Sequence, residues 1–205
     1  MDTLKIIFIL VVYVFSIKTA YSQNNVRPIF WLPFDDNKEL IDPSYQDNET
    51  DNFTQEKISG NNFEITGLAK YIPGVKGTAM KFDGFSSYVE GTIFNELNQE
   101  EEGFPLSKEF SIEAWVSLGA YPWNWAPIIT IGKYKITGFY LGVDSRGRVG
   151  FHLYDATSVW HECNSPINPN TKLGLELNKW YHIMATYNPE NGIKLYINGE
   201  LVSEY

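Results

Sequence analysis

The sequence predicts an all-β protein, an antiparallel β-sandwich or barrel, on three observations. Short β-rich runs follow one another from residue 63 onward: Ala79–Phe82, Tyr88–Glu90, Phe110–Val116, Ile128–Ile131, Phe139–Val143, Val149–Tyr154, Trp180–Tyr187 and Ile193–Ile197. Turn formers punctuate them, notably Asp83-Gly84, Asp144-Ser145-Arg146-Gly147 and Asn188 to Gly192. No window sustains a helical period over several turns, apart from a short stretch near Ile93–Glu101. Regular strand spacing with Gly, Pro and Asn turns points to two facing antiparallel layers.

The chain opens with Lys5 in a short polar start, an apolar run from Ile6 to Ile17, and small residues at Ala20 and Ser22. This is the layout of a secretory signal, residues 1–22, with the cut before Gln23. The run is shorter than the roughly 20 apolar residues that span a bilayer, so no transmembrane segment is expected after cleavage. No Cys follows the run to carry a lipid anchor. Residues 23–205 suffice for one domain with one sizeable core.

Next, Ile29–Asp35 reads as a short apolar strand interrupted by Pro33, hence an edge or a bulge. The polar stretch Asp35–Asn62 reads as loop. Phe110, Ile112, Ala114 and Val116 alternate with Ser111, Glu113, Trp115 and Ser117, which fits a strand with one side in the inter-sheet core. Trp180–Tyr187 is apolar on both faces, so its inner side stays unassigned. At the end, Ile193–Ile197 leads into Asn198-Gly199, the dipeptide suited to a type I′ hairpin. A strand opened so near Tyr205 would leave a sheet uncovered, so the domain is expected to lack its last strands, as part of a longer protein.

The formal charge is −9, and the signal removes two lysines against one aspartate, so residues 23–205 are more acidic still. Such a surface repels phosphate backbones and demotes nucleic acid as a partner. It excludes neither cations nor neutral glycans. Cys163 is the single cysteine, so no intrachain disulfide staples this chain.

Several separated segments together resemble the laminin G-like family of concanavalin A-like jelly rolls, the pentraxin-like branch in particular. They are Gly77–Gly84, Ser87–Glu90, Phe110–Val116, Gly138–Val143, Lys179–Tyr187 and Leu195–Gly199. The resemblance implies a secreted or cell-surface module, extracellular or periplasmic, that binds a polysaccharide or other glycan, or a protein surface. It also implies frequent fusion to glycoside hydrolases in bacteria, so a catalytic domain beyond residue 205 is one alternative and a protein-binding adhesion module another. Family members often carry Ca2+. Asp35 and Asp83 are the candidate ligands, with plain turn chemistry as the competing reading of Asp83-Gly84.

Catalysis within the segment lacks its parts. Related glycoside hydrolases use paired acids on one strand, whereas Glu113, Glu162 and Glu176 each stand without an acidic neighbour at alternate positions. No Gly-x-Ser-x-Gly elbow is present. His161 and Cys163 share a strand face, but a lone Cys in a sandwich is more often a small buried side chain.

For binding, Tyr121-Pro122-Trp123-Asn124-Trp125 sits in a loop, where Trp123 offers a flat apolar face to a sugar ring and Asn124 a hydroxyl partner. Trp125 reads rather as core. Trp160 with His161, and Tyr154 with Asp155, are further candidates, each weighed against the habit of sandwich aromatics to fill cores. The expected carbohydrate site is therefore Tyr121, Trp123, Asn124 and Trp160.

Overall fold

The structure is a computed structural model that describes residues 27–35, 52–92, 109–133, 137–154 and 159–205, with the backbone of residues 4–7 and 10–13. Among the described residues every regular element is a strand. In chain order these are β1 (Leu4–Ile7), β2 (Leu10–Tyr13), β3 (Phe53–Gln55), β4 (Asn62–Thr66), β5 (Lys70–Pro73), β6 (Thr78–Lys81), β7 (Tyr88–Gly91) and β8 (Phe110–Leu118). There follow β9 (Ala126–Lys133), β10 (Thr137–Val143), β11 (Val149–Tyr154), β12 (Trp160–Asn164), β13 (Trp180–Asn188), β14 (Gly192–Ile197) and β15 (Glu200–Glu204).

They form two antiparallel sheets. One has eight strands in the order β12-β11-β10-β9-β1-β7-β4-β3, the other seven in the order β15-β14-β13-β8-β2-β6-β5. The all-β sandwich read from the sequence is thus the observed fold.

Side-chain alternation explains how the sheets face each other. On β8, Ala114, Val116 and Leu118 are buried, and on β13 the buried set is Ile183, Ala185 and Tyr187. These meet Leu141, Phe151 and Leu153 of the facing sheet in one contiguous core. Phe110 ties the layers together, with ring centroids 5.5 Å from Phe139, 6.4 Å from Phe151 and 5.5 Å from Tyr187. Each such fully buried apolar side chain contributes about 1.5–3 kcal/mol relative to exposure. The inner side of β13, ambiguous in sequence, is fixed because its other face packs Trp180 beside Ala79 and Trp115.

The hairpin reading of Asn198-Gly199 holds: both residues have positive φ, 52° and 82°, as a type I′ turn requires. Two readings are corrected. Ile29–Asp35 is not a strand; Leu32 and Phe34 plug the core from an irregular segment tied down by Glu56, which accepts a 2.7 Å bond from the Trp31 amide. The stretch Asp35–Asn62 is not all loop, because Phe53–Gln55 pairs with Asn62–Thr66 as an edge hairpin. The backbone of the N-terminal apolar run forms two four-residue strands, one in each sheet. Its Ile- and Val-rich composition favours that conformation wherever strand partners are offered. The short helix expected near Ile93–Glu101 lies outside the described residues.

Candidate functional site

The outward face of β10, β11 and β12 carries a gathering of aromatic and polar side chains. Three rows of backbone register build it. Gly138, Tyr154 and Trp160 stand side by side, then Tyr140, His152 and Glu162, then Gly142, Gly150 and Asn164. Because alternate residues share a face, Phe151, Leu153 and Cys163 point the other way, into the core.

The two glycines make a floor. A Cβ at Gly150 would come within 2.6 Å of the Trp125 ring and of Asn164 Oδ1, and within 2.8 Å of His152 Nε2. Trp125 therefore rests where only glycine permits it, 5.0 Å from the His152 ring and 6.3 Å from Tyr140. Above it lies the Arg148 guanidinium, 5.7 Å from the ring centroid. That guanidinium is anchored by Asp144, whose Oδ2 accepts from Arg148 Nε at 3.1 Å and whose Oδ1 accepts from the amides of Arg146 and Arg148.

A polar relay crosses the same face. His152 Nε2 lies 3.1 Å from Asn164 Oδ1, and Asn164 Nδ2 donates to Glu162 Oε1 at 2.6 Å. Trp160 Nε1 donates to Glu162 Oε2 at 3.3 Å. His152 is buried, stacked on Tyr140 at 5.8 Å and 19°, while the Glu162 side chain remains 47% exposed. The relay thus ends in a carboxylate held by neighbours yet open to water. A carboxylate so placed accepts hydrogen bonds from hydroxyl groups, and the Trp160 indole beside it offers an apolar face.

The sequence-derived candidates divide accordingly. Trp160 lies in this cluster, its ring 5.5 Å from His152 and 5.7 Å from Tyr154. Trp123 is 91% exposed on the loop before β9. Tyr121 donates its hydroxyl to the Leu175 carbonyl at 2.9 Å and its ring packs against the core, which ties down the loop. Asn124 turns its Oδ1 inward to the Trp125 amide at 2.8 Å, which shapes the turn that delivers Trp125. Trp125, read as core, is instead the half-buried lid of the glycine floor. His161 points inward, 5.4 Å from Tyr205 and 6.4 Å from Tyr187. Cys163 shares that face, and burial first of all pushes its thiol above its ordinary value, which opposes a thiolate nucleophile. Asp155 lies outside the described residues.

The candidate calcium ligands fit poorly. Asp83 Oδ1 accepts from the amides of Phe85, Ser86 and Ser87 and from the Ser87 hydroxyl, and Oδ2 from the Ser86 hydroxyl. Burial would raise its carboxyl, but these donors outweigh it and hold the group far below the usual carboxylate range. A carboxylate ringed by donors suits a turn rather than a cation. Asp35 Oδ1 accepts from the Thr78 amide at 3.2 Å. Among the described residues no three His, Cys, Asp or Glu side chains gather at metal-binding distance.

One acidic pair escaped the sequence because it is built across strands. Glu64 of β4 stands directly opposite Glu90 of β7, beside a shallow polar hollow also lined by Phe53, Asn61, Asn62 and Thr92.

Residues 90–205, which carry β8 to β15 and the whole aromatic face, match the family model described as the concanavalin A-like lectin/glucanases superfamily. The chain belongs to the concanavalin A-like lectin/glucanase superfamily. A comparison with curated proteins gives no match. Among solved structures the chain is similar to an S-layer domain-containing protein, residues 221–444, from Clostridium thermocellum ATCC 27405. The two are 20% identical, with 86% of this chain and 71% of that one covered and a TM-score of 0.39, a likeness that carries no argument about function. In this superfamily member the relay of His152, Asn164 and Glu162 was invisible to strand-by-strand reading. The period-two alternation of Val149–Tyr154 was the signal that put His152 on the face opposite Phe151.

Proposed function

We propose that this protein is a secreted, non-catalytic glycan-binding module and that the outward face of β10–β12 is its site. The observation that supports this reading best is Trp160 donating to an exposed Glu162 that is itself braced by Asn164 and His152. An indole beside a pre-positioned carboxylate meets the two demands of a sugar ring, an apolar face for its C–H groups and strong acceptors for its hydroxyls. Trp123, on the loop that leads into Trp125, extends the apolar surface toward a longer chain. The acidic surface favours a neutral polysaccharide over a polyanionic one.

Retention on a panel of insoluble polysaccharides, compared for the wild type, Trp160→Ala and Glu162→Gln, tests the reading. Removing a charge-assisted hydrogen bond or the stacking face weakens affinity about ten-fold or more, at 1.4 kcal/mol per decade. Equal retention of all three proteins would dismiss the site.

A second reading, glycoside hydrolysis, draws on Glu64 opposite Glu90. Directly opposed residues have Cβ atoms about 4.5–5.5 Å apart, so both carboxyl groups can reach one ligand, as the paired acids of glycosidases do. Release of chromophore from aryl glycosides, abolished in both Glu64→Gln and Glu90→Gln, would favour it over recognition alone.

A further inference from the structure

Alternation along β11 puts Arg148, which directly precedes the strand, on the same side as Gly150 and His152, while Val149, Phe151 and Leu153 are buried. Arg148 Nε donates to Asp144 Oδ2 at 3.1 Å, and the guanidinium lies 5.7 Å from the Trp125 ring centroid. Asp144 is itself fixed, because its Oδ1 accepts from the amides of Arg146 and Arg148. These contacts orient the guanidinium but use only one of its donors. Among the described residues the Nη groups have no bonding partner, and the side chain is 31% exposed. A guanidinium is a rigid planar fork of donors with no acceptor. The far end of the face carries the Glu162 carboxylate, which accepts and is held in place by Asn164 and Trp160. Donors thus stand at one end and acceptors at the other. Arg148 is four residues from His152, whose row holds Glu162, so the two ends are about 13 Å apart at roughly 3.3 Å per residue. One sugar ring is too short to meet both.

We infer, on the reading that this face is the glycan site, that Arg148 is its specificity-determining residue and that the ligand is a neutral oligosaccharide at least two rings long. The two Nη groups donate together to neighbouring oxygens of one ring, and a hydroxyl of a ring further along donates to Glu162. Charge decides against an acidic chain. Asp144 already balances the Arg148 guanidinium, and Glu162 belongs to a protein of formal charge −9, so a uronate gains the fork without net attraction. The shape of the fork therefore selects, rather than its charge. A lone sugar reaches one end only and binds weakly.

The test titrates the full chain by calorimetry with glucose, xylose and mannose, with their β-1,3- and β-1,4-linked oligomers, and with polygalacturonate as the acidic probe. Wild type is compared with Trp160→Ala and with Arg148→Lys, which keeps the cation but loses the fork. One neutral series is expected to tighten about ten-fold or more between one ring and four. Arg148→Lys is expected to lose that gain while its urea midpoint and unliganded tryptophan emission match the wild type. Four results overturn this inference and leave the site standing, provided Trp160→Ala weakens binding: Arg148→Lys binds the oligomers like the wild type; one ring binds as tightly as four; polygalacturonate binds more tightly than every neutral series; or Arg148→Lys loses affinity only together with a shifted unliganded emission, which makes Arg148 a positioning residue for Trp125. Binding of none of these probes, or equal binding by Trp160→Ala, overturns the site and this inference with it.

Discussion

Arg148 holds its guanidinium 5.7 Å from the ring centroid of Trp125, and the same guanidinium is held at 3.1 Å by buried Asp144. The indole is thus fixed from above by a cation and from below by the bare backbone of Gly150. The geometry of the aromatic face consequently rests on a residue with no side chain.

Gly150→Ala puts a methyl group 2.6 Å from both the Trp125 ring and Asn164 Oδ1. Both must move, at a cost of about 1–3 kcal/mol typical of overpacking. The expected result is a lower urea midpoint together with weaker polysaccharide retention and altered tryptophan emission. Wild-type emission and retention would show that the ring is not pinned.

Trp123→Ala separates binding from folding. A side chain 91% exposed contributes within about 0.5 kcal/mol to stability. Its urea curve is expected to overlay the wild type while retention on polysaccharide declines, and unchanged retention removes Trp123 from the site.

Glu56 makes the fold acid-sensitive. Burial alone would raise its carboxyl, but the hydroxyl and amide of Ser59 and the amides of Ile58 and Trp31 hold it below the ordinary 4.5. A carboxyl lowered in the folded state contributes fully above the unfolded value and loses its contribution as pH falls through the folded one. As pH falls below 4.5, urea midpoints are expected to drop more steeply in the wild type than in Glu56→Gln. At pH 7 the variant is expected to be less stable by about 1–3 kcal/mol.

Cys163 is expected to resist thiol reagents in the native state. Burial pushes its thiol up and the Glu204 charge adds to that, against smaller opposing bonds from the Ser203 side chain and the Leu195 backbone. Disulfide-exchange reagents at pH 8 should label it only after denaturation, and prompt labelling of folded protein would place the thiol at the surface instead.

Much of the sandwich was legible because the long strands advertise themselves. Phe110–Leu118 alternates cleanly, and Asn198-Gly199 names its own turn. Phe53–Gln55, Asn62–Thr66 and Lys70–Pro73 were passed over because strands this short alternate polar with apolar over too few residues to stand out from loop. The site was only partly legible, for a different reason. His152 and Glu162 lie ten positions apart, and only the pairing of β11 with β12 sets them in one row. Trp125 was misread because its neighbour Ile128 is core, while the glycine that receives its ring sits on another strand.

Strand β12 alternates between two worlds, with Trp160, Glu162 and Asn164 outside and His161 and Cys163 inside. Loss or gain of a single residue there would invert the whole strand, sending a carboxylate into oil and a thiol into water. Change on the outer face of this strand is therefore confined to point replacement at every other codon, and insertions or deletions would turn its core side outward.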